Sequence, residues 1–136
     1  MFEWWNQTIT ICNKLSGKDS ATGLDTWKKT VLHNCFFKQE TIRNITGTSV
    51  SVGNTVIARI PENPDYKPYS IWKNDISDGF TLSVGDYIFL GELEEEITAS
   101  NIVTLFNSKK PHSFLVRAVS DNSNFGILKH YRAEGV

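Results

Sequence analysis

Short runs in which every second residue is apolar, separated by clusters of Gly, Pro, Asn, Asp and Ser, are the feature that most narrows what this chain can fold into. In QTITICNKL, Ile9, Ile11 and Leu15 fall on one parity while Thr8, Thr10 and Lys14 take the other. Side chains alternate along a strand with a period of two, so the pattern predicts a half-buried strand from about Gln7 to Leu15. SGKDSATGLD then supplies turn residues, and TWKKTVL sets Trp27 and Val31 on one face. The two runs are expected to pair as a hairpin.

The same pattern recurs to the end of the chain. NCFFKQETIRNIT carries Phe36 and Phe37 before its apolar density falls. TSVSVGNTVIARI places Val50 and Val52 before, and Val56, Ala58 and Ile60 after, a Gly53-Asn54 pair suited to a two-residue hairpin turn. FTLSVGDYIFLGELEEE sets Phe80 and Leu82 before a Gly85-Asp86 corner and the apolar run Tyr87 to Leu90 after it. HSFLVRAVS alternates Phe114, Val116 and Ala118 against Leu115, Arg117 and Val119, DNSNF turns, and GILKHYRA returns. One helix of about two turns is expected in TASNIVTLFNS, with Thr98 or Ser100 as N-cap and Ile102, Val103 and Phe106 on one face. The fold class is therefore mainly β: a small antiparallel β-barrel or sandwich with one short helix, as a single domain over residues 1–136.

One stretch breaks the pattern. In PENPDYKPYSIWKNDISDG, Pro61, Pro64 and Pro68 oppose regular strand pairing, with Tyr66, Tyr69 and Trp72 between and after them. A loop this long in a compact domain is commonly functional, so the segment from Pro61 to Gly79 is a candidate partner-docking loop carried by Tyr66, Tyr69 and Trp72.

Composition removes several classes of function. With 14 Lys and Arg against 15 Asp and Glu the formal charge is -1, so no global field gathers phosphate backbones, acidic substrates or anionic lipid. The chain is 40% hydrophobic and 12% aromatic, which suits a packed core and not a disordered tract. MFEWWNQTITIC lacks a basic region followed by an apolar one, and no stretch is long enough to span a bilayer, so a soluble protein made in the cytoplasm is expected. In that reducing compartment Cys12 and Cys35 are expected as free thiols, although one disulfide remains open to them.

The side chains that could carry chemistry do not assemble into a known pattern. Glu92, Glu94 and Glu96 share one side of a predicted strand and could offer oxygen ligands to magnesium or calcium. No acidic loop motif or HExxH accompanies them, so a solvated strand end or an interface edge is the stronger reading. His33 and Cys35 form an H-x-C pair, with His112 and His130 elsewhere, but the spacing of a tetrahedral zinc site is absent. A Cys-His nucleophile pair finds no orienting third group. Glycines such as Gly47, Gly53, Gly79, Gly85, Gly91 and Gly126 stand singly and read as turn or strand-end residues, not as a phosphate cradle. Trp4, Trp5, Tyr66, Tyr69 and Trp72 could stack on bases or sugars, yet no basic groove runs beside them. No enzyme activity, cofactor or metal is expected. Gly85 and Asp86 are read as a structural turn, Gly85 with a positive backbone angle and Asp86 accepting a backbone hydrogen bond.

MFEWWNQTITICNK, LHNCFF, VGNTVIARIPEN, FTLSVGDYIFLGE and the terminal HYRAEGV together resemble a family of small uncharacterised proteins encoded in phages and prophages of Gram-positive bacteria. The similarity touches nearly the whole chain, and its motifs are structural. The resemblance implies a virion protein of the head-tail connector, the neck, of the head-closure or stopper class. As partners it implies further copies in a homo-oligomeric ring, with a hexamer as one option. The portal or head-tail adaptor would lie above and the tail terminator or tail tube below, with DNA passing through without specific binding and no membrane involved. On that reading the isolated chain is a weakly associating monomer, and some of Glu92, Glu94, Glu95 and Glu96 face the lumen or its rim. The alternatives are a tail terminator or other tail-completion protein, then an OB-like nucleic-acid-binding module, then a metal-dependent hydrolase.

Overall fold

The computed structural model describes residues 5–20, 22–46, 49–110, 112–122 and 130–136, with the backbone alone described for 41–46, 49–54 and 122. Six antiparallel strands close into a barrel in the order β1-β2-β3-β6-β5-β4. They are β1 (Gln7–Leu15), β2 (Thr26–Thr46), β3 (Ser49–Pro61), β4 (Tyr87–Leu90), β5 (Ser113–Asn122) and β6 (His130–Gly135). Two short helices, α1 (Tyr69–Trp72) and α2 (Ile102–Lys109), lie in the connections on either side of β4. No helix among the described residues is long and apolar enough to cross a membrane.

The expected hairpin of β1 and β2 is present, from Leu15↔Thr26 to Gln7↔Cys35. Ile9 and Ile11 enter the barrel interior with Phe80, Ile88, Phe114 and Ala133, all wholly buried. The strand is not half-buried, however, because its other face is covered too: Thr10 and Cys12 are also fully buried. Cys12 and Phe89 form a second apolar layer with Leu93, Ile97, Ile102 and Phe106, between the barrel wall and α2. Burial on both faces explains why Tyr87 to Leu90 is an unbroken apolar run, since no position on that strand meets water freely.

Within α2 Ile102 and Phe106 are buried, whereas Val103 is 53% exposed. Leu105 takes its expected place against the second layer. Residues three and four apart share a helix face, and the covered stripe falls on Ile102, Leu105 and Phe106. Asn101 is the N-cap residue, not Thr98 or Ser100, and its Oδ1 accepts from the Thr98 amide at 2.8 Å.

The expected Gly53-Asn54 turn does not form. Both residues lie inside β3, where Gly53 pairs with Ile42 and Asn54 with Thr41. The β2–β3 ladder runs on to Thr46↔Ser49, next to Gly47 and Thr48, which fall outside the described residues. β1 reaches along β2 only as far as Cys35, and β6 along β3 only from Pro61 to Val56. Beyond those points β2 and β3 pair with each other alone, a two-stranded ribbon that extends past Val56 by roughly 23 Å for seven residues at ~3.3 Å each.

The β5–β6 pairing is present from Val116↔Gly135 to Asn122↔His130, and the turn expected at DNSNF and Gly126 lies mostly outside the described residues. A register shift between Val116 and Ala118 changes which parity faces inward. Phe114 and Val116 are buried before it, and after it Val119, not Ala118, packs on the core. Gly135 sits opposite this bulge, and a Cβ there would collide with the Leu115 carbonyl.

Candidate functional site

The Gly85-Asp86 corner is the most densely bonded polar site among the described residues. Ser83 to Asp86 form a turn closed by the Asp86 amide on the Ser83 carbonyl at 3.1 Å, with Gly85 in its third position at φ 99°. A β-carbon is disfavoured at that angle, which explains the glycine. The pairing of β1 with β4 ends at Cys12↔Tyr87, and the next facing residues are Asn13 and Asp86. Here side chains replace the ladder. Asp86 Oδ1 accepts from the Lys14 amide at 2.9 Å, and Oδ2 accepts from the Ser83 amide at 2.9 Å and from Asn13 Nδ2 at 2.8 Å. Asn13 also donates to the Thr81 carbonyl at 2.6 Å and accepts from the Thr81 amide at 3.3 Å.

Asp86 is 1% exposed, and its carboxyl is pushed up to about 6 by burial, against the pull of its donors and of the Lys14 charge. Every donor it meets belongs to the scaffold. The carboxylate therefore fastens the end of β1 to the chain entering β4, as expected of a structural turn. An open cleft of about 370 Å3, lined by Lys14, Ser16, Lys18, Tyr69, Ser83 and Val84, lies over it. Within this cleft Val84 is 68% exposed, while the Asp86 oxygens point inward to their donors.

The expected docking aromatics are used by the domain itself. Trp72 is wholly buried, and Tyr66 packs on Tyr131 with ring centroids 4.1 Å apart and on Phe80 at 5.9 Å. Backbone bonds from Lys67 to the Phe80 carbonyl and from Phe80 to the Asp65 carbonyl stitch the two ends of the segment together. Tyr69 donates its hydroxyl to Asp19 at 2.8 Å and accepts from the Ser16 amide at 3.2 Å. The segment thus has a great deal to pack on, and the large hydrophobic side chain it leaves in water is Ile71, at 57% exposure. Proline density marked a loop without regular pairing, but the aromatics between the prolines are its anchors to the barrel.

The acidic run is not on a strand. β4 ends at Leu90, and Thr10 turns the chain away at Gly91: its hydroxyl donates to the Gly91 carbonyl at 2.7 Å and accepts from the Leu93 amide at 3.0 Å. Leu93 and Ile97 plug into the layer beneath α2, whereas Glu92, Glu94, Glu95 and Glu96 are exposed. Lys29 supports the loop from below, donating to the carbonyls of Leu93 at 2.8 Å and Glu95 at 3.1 Å. The alternation of Glu with Leu93 imitates a strand because a loop anchored by spaced apolar residues has a similar signature.

Cys12 and Cys35 are both free and lie in separate apolar layers. Burial pushes each thiol up to about 12, with Lys29 opposing the shift at Cys12, so neither supplies a thiolate near neutrality. Cys35 donates to the His33 carbonyl, while the His33 ring bonds Thr8 at 3.0 Å, so the H-x-C pair does not converge. Among the described residues no three His, Cys, Asp or Glu side chains gather in a way that could hold a metal ion. Trp5 is buried, its ring edge-on to His130 at 5.5 Å, and Trp4 lies outside the described residues.

The sequence reading missed the ribbon. The signal for it was the run of Thr, Ile and Val on both sides of residues 47–48, in which a central glycine drew the turn to the wrong place. No curated protein and no solved structure matches this chain. A family model matches residues 4–136, nearly the whole chain and every element described above, and on it the chain belongs to the family of unknown function DUF6751.

Proposed function

We propose that this protein is a structural subunit of a phage virion, in the head-tail connector, and that it acts there as a head-closure subunit in a homo-oligomeric ring. The observation that carries the reading is the division of the molecule into a closed barrel filled by its own side chains and a ribbon that takes no part in closing it. A filled barrel offers no interior to a ligand, and the chemically richest carboxylate, Asp86, is committed to holding the fold. A long ribbon outside the barrel wall suits assembly. The setting is taken from the resemblance of MFEWWNQTITICNK, LHNCFF and VGNTVIARIPEN to small phage proteins. Glu92, Glu94, Glu95 and Glu96, exposed on a well-anchored loop, would give the conduit a wall that repels DNA and lets it pass.

Deleting the gene from its phage tests the proposal. Head closure predicts filled heads that lose their genomes, beside unjoined tails of normal length, with the protein located in the neck by cryo-electron microscopy of complemented virions. Tails of uncontrolled length would assign it to tail termination instead, and normal infectious particles would overturn the connector reading altogether.

A further inference from the structure

We propose that copies of this chain join through the β2–β3 ribbon, the free edge of β2 in one copy pairing with the free edge of β3 in the next. The inference deepens the ring reading above and rests on it only for the biological setting. The barrel closes in the order β1-β2-β3-β6-β5-β4, but its wall is not paired on both sides throughout: over Thr26–Cys35 β2 is laddered with β1 alone, and from Ala118 to Asn122 β5 is laddered with β6 alone. Among the described residues the ribbon is the longest strand pair with both of its outer edges open: β2 beyond Phe37, and β3 before Val56, where β6 ends. A row of unpaired backbone donors and acceptors is a template for another strand, and a lone two-stranded hairpin is marginal in water.

Direction selects the occupant. β2 and β3 run antiparallel, so a rotation that brings a second copy alongside sets its β2 against the first copy's β3, again antiparallel. The two edges are different surfaces of one ribbon, and pairing them is head-to-tail, the arrangement that closes into a ring when the rotation allows. The sequence of the ribbon does not protect its edges. Residues 39–46 and 49–55 hold Glu40 and Arg43 as their only charges, with neither proline nor lysine, whereas edges that must stay single usually carry such residues. A different protein would have to bring an open strand of its own; a second copy already has one.

The test uses the purified full-length chain. Sedimentation up to about 1 mM detects an association as weak as roughly -4 kcal/mol. The expected result is concentration-dependent oligomers larger than a dimer. Replacing residues 41–54 with Asn-Gly should abolish them while leaving the far-ultraviolet spectrum of the barrel in place. Hydrogen exchange on the unaltered chain gives a second measure that does not depend on that variant folding. Alternate amides of both strands, those that point away from the ribbon's own ladder, should exchange at least tenfold more slowly in the oligomer. A chain that stays monomeric, an association that stops at a dimer, protection confined to one strand, or oligomers that survive the truncation would each overturn the proposal. These results do not depend on the virion: the pairing can fail while the protein is found in the neck, or hold while it is absent from it.

Discussion

The connection from β3 to β4, residues 62–86, and the ribbon beyond Val56 both leave the barrel wall, and they are held in opposite ways. The connection has almost no regular backbone pairing, yet Trp72, Phe80 and Asp86 are each at most 1% exposed, and its ends are tied by Lys67, Phe80 and Asn13. The ribbon has an unbroken ladder from Phe36↔Arg59 to Thr46↔Ser49 and, for most of that length, no third strand among the described residues. Regular secondary structure is therefore a poor guide to attachment in this molecule. What attaches a segment is side chains that leave water, together with polar groups whose partners are all supplied, because backbone pairing alone gains little over pairing with water.

The contrast can be broken most forcefully at Trp72. Trp72→Ala empties a fully buried site and should cost about 3–5 kcal/mol. Urea denaturation measures this, and a loss below about 1 kcal/mol would mean that the connection is as loosely held as the ribbon.

Asp86→Ala comes next. It strands the Lys14 and Ser83 amides and Asn13 Nδ2 without their acceptor, for an expected loss of about 2–4 kcal/mol. Asp86 also sets a pH dependence whose direction is fixed. Its carboxyl titrates at about 6 when folded, above its ordinary 3.8, so between those values the folded chain keeps a proton that the unfolded chain has released. The contribution is fully present below about 3.8 and is lost as pH rises through about 6. Its size is on the order of 3 kcal/mol for a gap of about two pH units. Stability curves of the unaltered protein and Asp86→Asn, compared between pH 4 and 7, should differ by that slope; parallel curves would show that burial does not govern this carboxyl. Gly85→Val should cost less, about 1–3 kcal/mol, through the φ of 99° alone, since a Cβ there meets no atom within 4 Å. A fully retained melting temperature would remove the turn from the list of anchors.

Individual residues show which parts of this the sequence carried. The parity of Ile9 and Ile11 and of Ala58 and Ile60 picked out residues that face inward, because a strand's period of two is a local property. Gly85 and Asp86 were legible for the same reason, since a turn needs only its own residues. The outer layer was not, because the cover over Cys12 comes from Leu93, Ile102 and Phe106, far along the chain. Trp72 looked available because Pro61, Pro64 and Pro68 describe only what the backbone cannot do. At Arg117 a single-residue bulge exchanged the faces without any compositional mark. The ribbon was hidden by Gly53, which weakens a strand without ending it.

Shortening the ribbon sharpens the comparison from the other side. Among the described side chains the core reaches Phe37 on β2 and Val56 on β3, so replacing residues 41–54 with Asn-Gly is expected to change the barrel's unfolding free energy by less than about 1 kcal/mol. A large loss would mean that the ribbon supports the barrel and is not an appendage.

The smallest effect is expected at the acidic loop, which is held as the connection is. Leu93 and Ile97 anchor it, and Lys29 binds its carbonyl oxygens and not its carboxylates. Its charges are thus dispensable to the fold. Replacing Glu94, Glu95 and Glu96 together with lysine should shift stability by no more than about 0.5 kcal/mol, whereas Leu93→Ala should cost roughly 2–5 kcal/mol by opening the layer under α2. The charges matter instead to what the loop faces. If it borders a DNA conduit, the lysine variant should incorporate normally, bind DNA with a steep salt dependence and slow ejection, because each neutralised phosphate adds contacts that passage must break. Lysine particles that eject at the normal rate, or unaltered protein that itself retards DNA at moderate salt, would mean that the glutamates face something other than DNA, while the anchoring by Leu93, Ile97 and Lys29 would stand unchanged.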